Sequence, residues 1–190
     1  TGIVDYKKVA LAYGKNFKDL GGEIFLNHKV LTINTLNSIN YISTTTGDFA
    51  SKLVINCAGL YADKVEELNG KGPRQVKILP FRGEYYKIIK EREYLVKNLI
   101  YPVPDPNFPF LGVHFTRMMK GGVEAGPNAV LAFKREGYKR MDFDLAEMKE
   151  IISWPGLHKV ASKYWRTGLG EFYRSFSKGA FTKALQLLIP

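Results

Sequence analysis

The sequence has a single cysteine, Cys57, and no apolar run long enough to cross a bilayer. One thiol excludes an intrachain disulfide and favours a reducing compartment, so we expect a cytoplasmic location. No spacing of histidine, cysteine or acidic residues is typical of a metal site, so we predict no metal.

Acidic residues are also scarce, with 18 against 28 basic residues and a formal net charge of +10. This balance favours anionic partners such as acidic substrates, phosphates, nucleic acid or an anionic membrane surface. The basic residues are spread along the chain, and the interleaved basic and aromatic motifs of nucleic-acid readers are missing. We therefore expect no nucleic acid as a partner.

Hydrophobic spacing predicts a mixed α/β chain. Apolar residues three and four positions apart predict a helix after Asp5 and further helices from Asp142 to the end. Four segments before residue 57 have strand character: Glu23–Leu26, Lys29–Thr35, Ile39–Thr45 and Lys52–Asn56. The last is continuously apolar, as in strands buried in parallel sheets. Residues 76–125 favour a mostly antiparallel sheet with few helices.

The strongest local motif is Leu53–Asp63, where an apolar stretch runs into Ala58 and Gly59 and then into a helical pattern. Small residues at that point let a ligand approach the backbone at the carboxyl end of a sheet, where open α/β sheets bind ligands. A tight turn between strand and helix, with no ligand, explains the same residues equally well.

This motif is similar to the late flavin-contacting strand and turn of the D-amino-acid-oxidase-like (DAO) FAD enzymes. The likeness extends in the same order through Thr1–Tyr6, Leu79–Tyr86, Tyr101–Pro106 with Leu111–Arg117, and Gly126–Ala132. Together these segments resemble the family members that oxidise L-2-hydroxyglutarate. The resemblance implies FAD as cofactor and a small 2-hydroxy dicarboxylate as substrate, whose hydride passes to the flavin while a base takes the hydroxyl proton.

The Gly-x-Gly-x-x-Gly turn that holds the FAD pyrophosphate does not occur in the sequence. In the family this turn precedes the matched region and a closing segment follows it, so we expect an internal fragment that is inactive alone. The resemblance assigns residues 1–75 to part of a Rossmann-like FAD/NAD(P)-binding layer and residues 76–190 to an antiparallel β-sheet substrate domain with helices. It places Val30 at the adenine end of the cofactor, and Ala58 and Gly59 near its centre.

Of the candidate substrate-binding residues, Arg82 and Tyr86 lie on one predicted strand and Arg117 on a second. Arg82, Glu84 and Tyr86 alternate on one side of the first, which in the family enters the substrate domain. Arg82 matches a carboxylate in two-point contact, and an ion pair with Glu84 is the alternative. His114 on the second strand could orient the substrate or take a proton, or be an ordinary hydrogen-bonded histidine. Arg117 is a second carboxylate candidate.

Two further segments have functional and structural explanations. Gly126 could let the chain pass close to the flavin and Asn128 could donate to a ring or substrate oxygen, whereas a plain turn is the alternative. Tyr173–Leu188 has the pattern of a basic amphipathic helix, which could contact the inner face of the membrane or pack on its own domain. A non-catalytic anion-binding module, or an oxidase of another 2-hydroxy or amino acid, remains an alternative function.

Overall fold

A computed structural model describes residues 2–70, 76–104 and 112–190. The chain divides into two compact units: an N-terminal unit, Lys7–Ile78, and a C-terminal unit, Leu79–Pro190 together with Thr1–Tyr6. The domain boundary predicted after residue 75 borders residues 71–75, which lie outside the described residues.

The N-terminal unit contains two helices and an antiparallel sheet in the order β1-β2-β3. Its elements are α1 (Tyr6–Asp19), β1 (Val30–Leu36), β2 (Ile39–Thr44), β3 (Asp48–Ser51) and, after a 3₁₀ turn at Gly59–Tyr61, α2 (Ala62–Glu67). Asn37 and Ser38 join β1 to β2 with positive φ angles of 50° and 62°. Two such residues form the turn whose twist matches a hairpin, which confirms the predicted break between these strands.

Two predicted strands in this unit are wrong. Glu23–Leu26 and Lys52–Asn56 lie outside the strands of the described residues. A parallel strand needs neighbours that bond its N–H and C=O groups, and no described segment pairs with residues 52–56. The third strand is Asp48–Ser51, which pairs with β2 just before the apolar stretch.

The C-terminal unit combines a second antiparallel sheet with three helices. Its elements are β4 (Phe81–Lys87), β5 (His114–Arg117), β6 (Val123–Leu131), α3 (Leu145–Ile152), α4 (Pro155–Phe176) and α5 (Lys178–Leu185). The strand order is β4-β6-β5, so β6 is central. Asp144 caps α3 by accepting a hydrogen bond from the Glu147 N–H at 2.9 Å. The predicted helical region after Asp142 and the mixed α/β class are confirmed.

The core of the C-terminal unit lies between its sheet and α5. It consists of Val96, Phe115, Val123, Ala125, Phe181 and Leu185. Phe181 is 1% exposed, and burying such a side chain stabilises the fold by about 1.5–3 kcal/mol. The amphipathic pattern of Tyr173–Leu188 therefore packs on its own domain at Phe181 and Leu185, as one of the two explanations predicted.

The segment Gly126–Ala129, expected at the end of the β region, lies in the middle of β6. The pairing of β4 with β6 shifts by one residue there, so Gly126 and Pro127 together face Tyr85 in a β-bulge. Proline has no N–H to donate, and a bulge is where a strand tolerates it. The plain turn considered for this segment is wrong, because the strand continues through it to Leu131.

Candidate functional site

The candidate residues of the C-terminal unit lie on opposite faces of its sheet. Tyr86 packs on Phe181 of α5, with ring centroids 5.0 Å apart, and Asn128 bonds to α4. We call this side the helix face. Successive side chains of a strand point to opposite sides, so Tyr85 and His114 lie on the other side, which we call the tyrosine face.

His114 is almost buried on the tyrosine face. Its ring stacks on the Tyr101 ring, with centroids 4.2 Å apart and planes inclined by 18°. The Tyr85 ring lies in an edge-to-face arrangement with it, with centroids 6.4 Å apart. Its Nδ1 lies 3.1 Å from the Gly112 carbonyl oxygen. A carbonyl only accepts, so Nδ1 carries the proton and Nε2 is left as an acceptor. Within the described residues, nothing hydrogen-bonds to Nε2.

Tyr85 and Tyr101 frame His114, and the sequence did not indicate them as site residues. Backbone hydrogen bonds of 3.0 and 2.9 Å between Ile100 and Phe115 set Tyr101 beside His114. Burial raises the pKa of Tyr85 above its usual 10.0, and electrostatic interactions with Tyr101 and Glu124 raise it further. The Tyr85 hydroxyl therefore stays protonated and can donate a hydrogen bond at neutral pH. Strand alternation alone could have placed Tyr85 on the side of the sheet opposite Tyr86. Tyr101 follows an isolated bridge, where no periodic sequence pattern indicates the direction of its side chain.

Arg82 is held in an internal ion pair on the helix face. Its Nη2 lies 2.9 Å from Glu84 Oε1, its Nε donates to the same oxygen at 3.3 Å, and its Nη1 donates to the Lys139 carbonyl at 3.0 Å. Arg140 also contacts Glu84 at 3.2 Å. The ion pair with Glu84 considered from the sequence is thus present, and a carboxylate-binding role for Arg82 stays a prediction.

Glu84 is the acidic centre of this cluster. Burial alone would raise its pKa, but hydrogen bonds from Ser175, Arg82 and Arg140 outweigh burial and hold the pKa below its usual 4.5. The carboxylate is therefore ionised near neutral pH, and it ties β4 to Arg140 and to the end of α4.

Asn128 is fully buried, and its side chain links β6 to α4 through hydrogen bonds. Its Nδ2 donates to the Glu171 carbonyl at 2.7 Å, and its Oδ1 accepts from Arg174 Nε at 3.3 Å. The Glu171 carboxylate accepts the Ala129 N–H at 3.0 Å and pairs with Arg174. Both polar ends of the amide are thus bonded within the protein, and donation to a substrate or flavin stays a prediction.

Arg117 and Gly126 also have structural contacts. Arg117 Nη1 donates to the Val96 carbonyl at 2.5 Å, on the side of the core. Gly126 pairs with His114 in the sheet, has a φ of 151°, and would place a Cβ 2.7 Å from the Glu84 carbonyl oxygen. The backbone of β4 therefore already requires glycine at this position, and an approach of Gly126 to a flavin stays a prediction.

The turn at Ala58 and Gly59 is held by Asn56 in the N-terminal unit. Asn56 Oδ1 accepts the Ala58 N–H at 3.1 Å, while its Nδ2 donates to the Ala62 carbonyl at 2.7 Å. Gly59 has a φ of 54°, and a Cβ there would meet no described atom within 4 Å. This open turn fits the close approach of a cofactor. Val30, the adenine-end candidate, begins β1 and is half-buried.

The described part of the chain shows no sign of a metal centre or of a membrane span. No group of three or more histidine, cysteine or acidic side chains there could hold a metal ion. No helix among the described residues combines the length and the apolar character needed to span a membrane.

Comparison with known proteins places the chain among flavoenzymes. The family model described as FAD dependent oxidoreductase (DAO) matches residues 1–181. An L-2-hydroxyglutarate dehydrogenase of Indibacter alkaliphilus is 68% identical over the whole chain, which covers 48% of that protein. The mitochondrial L-2-hydroxyglutarate dehydrogenase of Homo sapiens is 45% identical with 43% of its length covered. An L-2-hydroxyglutarate dehydrogenase of Escherichia coli K12 is 42% identical with 45% of its length covered. The chain spans slightly less than half the length of these curated relatives.

Proposed function

Because the chain belongs to the family of FAD-dependent oxidoreductases, we propose that the full-length protein oxidises L-2-hydroxyglutarate to 2-oxoglutarate. The observation that carries this proposal is the 68% identity over all 190 residues to a protein named L-2-hydroxyglutarate dehydrogenase. The 190 residues alone cover 48% of that relative, so we expect no turnover from them in isolation.

We assign the proton-accepting role to His114. Oxidation of a 2-hydroxy acid removes a hydride from carbon and a proton from the hydroxyl group. His114 Nε2 is available to take that proton, because Nδ1 is already bonded to the Gly112 carbonyl. The stacked Tyr101 ring holds the imidazole plane, and the protonated Tyr85 hydroxyl can donate to a substrate oxygen.

The N-terminal unit is assigned to the FAD-binding layer and the C-terminal unit to substrate binding. Bound FAD would supply the acceptor for the hydride. Ala58 and Gly59 are the cofactor contacts best supported by the structure, since their turn is open and needs glycine's left-handed backbone. Val30 is kept as the adenine-end contact from the family resemblance.

The helix-face candidates have weaker support as ligand contacts. Arg82, Tyr86, Arg117 and Asn128 are each bonded or packed within the protein. A dicarboxylate needs two donor or cationic contacts, and Arg82 and Arg117 are retained for this role only as predictions. If a variant of the full-length protein that lacks both arginines binds the dicarboxylate as tightly as wild type, neither arginine belongs to the substrate site. Gly126 is bonded in the sheet, and the proposal does not depend on it.

The test is oxidation of L-2-hydroxyglutarate by the full-length FAD-loaded protein and its His114→Gln variant. We expect kcat to fall about 10²- to 10⁴-fold in the variant with the flavin absorption unchanged, since an acid–base residue contributes about that much. His158→Gln, on the exposed side of α4, is the matched control and should keep full activity. If the wild-type protein prefers a monocarboxylate hydroxy acid or an amino acid, the proposed substrate is wrong.

A peripheral contact with the inner face of the cytoplasmic membrane is a second proposal. Leu169, Phe172 and Phe176 lie three and four residues apart on α4 and are exposed, and the basic residue Arg166 lies three residues before Leu169. Apolar and basic side chains on one helix can bind an anionic lipid surface. Sedimentation with anionic vesicles should fall for Phe172→Ser/Phe176→Ser and stay unchanged for Lys159→Gln. Equal sedimentation of the two variants would contradict this contact.

A further inference from the structure

A cavity lies on the helix face, on the other side of the sheet from His114. It has a volume of about 320 Å³ and lies between the end of β4, the 3₁₀ segment Lys90–Leu95 and α5. Its floor includes Val96, Phe115, Phe181 and Leu185, which belong to the hydrophobic core. Cavities that hold small molecules measure about 300–1,000 Å³, so this one suits a small ligand. We call it the α5 cavity.

The charged residues of the α5 cavity all have the same sign. Lys87, Arg92 and Lys178 line it, and no aspartate or glutamate is among its described lining residues. Within the described residues, none of these three side chains has a hydrogen bond or an ion pair. An apolar floor beneath three cations that form no ion pair favours a ligand that is apolar at one end and anionic at the other.

The α5 cavity is separate from the proposed catalytic residues. Phe115 lines it, whereas the neighbouring His114 points to the tyrosine face, because successive strand residues alternate. A ligand in this cavity would therefore not occupy the place of the hydroxy acid beside His114.

We propose that the α5 cavity binds an amphiphilic carboxylate, a single apolar chain with one anionic head. The chain would lie on Phe115, Phe181 and Leu185, removing apolar surface from water. The carboxylate would stay at the rim near Lys87 and Lys178. A free inorganic anion gains nothing from the apolar floor, and a neutral chain leaves the rim charges without a counter-ion. This site does not involve His114, Tyr85 or Tyr101, to which the proposed oxidation is assigned.

The test is calorimetric titration of the full-length protein with decanoate below its micelle concentration. We expect Lys87→Gln/Arg92→Gln/Lys178→Gln to bind decanoate about tenfold more weakly, since each partly exposed charge contributes modestly. A triple variant with the same loss of charge, Lys97→Gln/Lys149→Gln/Lys159→Gln, changes exposed lysines outside the cavity and should bind normally. Equal affinity in the two triple variants would overturn the proposal.

Two further ligands and one more variant separate the contributions of chain and charge. Decanol should bind more weakly than decanoate, and acetate should not compete with it. Tight binding of decanol, or equal binding of acetate, contradicts an amphiphilic anion site. Thr182→Trp fills the cavity from an exposed lining position and should abolish decanoate binding with an unchanged melting temperature. Binding to anionic vesicles without binding of decanoate would also overturn the proposal, in favour of a lipid surface.

Discussion

The imidazole of His114 lies nearly parallel to the phenol ring of Tyr101, with centroids 4.2 Å apart and planes inclined by 18°. The two residues come from separate segments, joined by the backbone bridge of Ile100 and Phe115. Stacking restricts the ring plane, and the Gly112 carbonyl selects the tautomer. Together these contacts fix the direction of Nε2 before any ligand arrives.

Tyr101→Leu should therefore lower kcat more than it changes KM, since the ring that positions the imidazole is lost. We expect a loss of about tenfold to a hundredfold, the size of effect that small misplacements cause. Tyr101→Phe keeps the ring and removes only the hydroxyl that lies 3.3 Å from Thr116 Oγ1, so it should stay close to wild type. Tyr94→Leu, at an exposed tyrosine, is the control. Equal losses for Leu and Phe at position 101 would assign the effect to the hydroxyl.

Arg82→Gln should destabilise the fold through Glu84. We expect the free energy of unfolding to fall by about 1.5–3 kcal/mol, as for a lost hydrogen bond to a charged group. Adding Glu84→Gln should recover part of this loss, because the two side chains interact directly at 2.9 Å. Urea denaturation of the two single variants and the double variant measures this coupling. Additive losses, or a raised KM with unchanged stability, would instead favour substrate binding by Arg82.

The stabilising effect of Glu84 should depend on pH in a defined direction. Its pKa in the folded protein lies below the usual 4.5, so the ionised carboxylate stabilises the fold above that value. As the pH falls through the lowered pKa, the folded state takes up the proton and this contribution is lost. The difference in unfolding free energy between wild type and Glu84→Gln should therefore shrink from pH 6 to pH 3. A difference that stays constant over this range would contradict the assigned ion pair.

Gly126→Ala should weaken the central sheet. An alanine Cβ would lie 2.7 Å from the Glu84 carbonyl oxygen, at a φ of 151°. We expect a loss of at least about 1–3 kcal/mol, the usual cost of such backbone strain, before the steric contact is added. Gly168→Ala, in α4 with no described atom near its Cβ, should be neutral or stabilising by about 0.4–1 kcal/mol. Similar destabilisation of both variants would show that position 126 has no special constraint.

Gly59→Ala and Gly70→Ala form a matched pair for the cofactor. Both glycines have left-handed φ angles, 54° and 64°, and neither Cβ would meet a described atom within 4 Å. Each change should therefore lower the free energy of unfolding by a similar amount, about 1–2 kcal/mol. Only Gly59→Ala should weaken FAD binding, measured by the recovery of free-flavin fluorescence. Equal FAD affinity in the two variants would remove Gly59 from the cofactor site.

Sequence patterns predict the elements that are determined by residues close together along the chain. Turn chemistry predicts the hairpin at Asn37 and Ser38, and apolar spacing predicts the helices that follow Asp142. The strand predicted at Lys52–Asn56 failed because a strand needs a partner, which a single segment's composition cannot supply. The Gly-Pro pair at residues 126–127 is typical of turns, but a bulge accommodates it within β6.

In the candidate site, too, the sequence predicts contacts between residues of one strand but not contacts between distant segments. Arg82 and Glu84 lie two residues apart on one strand, so their pairing follows from alternation. The contact of Asn128 with Glu171 and the stacking of Tyr101 on His114 join distant segments. No periodicity encodes such contacts, because they arise only when separate elements pack together.

The central position of β6 orders the assembly of its sheet. Its hairpin with β5 closes across residues 118–122, whereas β4 must cross residues 88–122 to reach the same strand. Loop-closure entropy grows with the length of the loop, so the hairpin is the less costly contact to form first. Once formed, the hairpin leaves the free edge of β6 open, and β4 docks there, bringing Tyr85 over a histidine that is already in place.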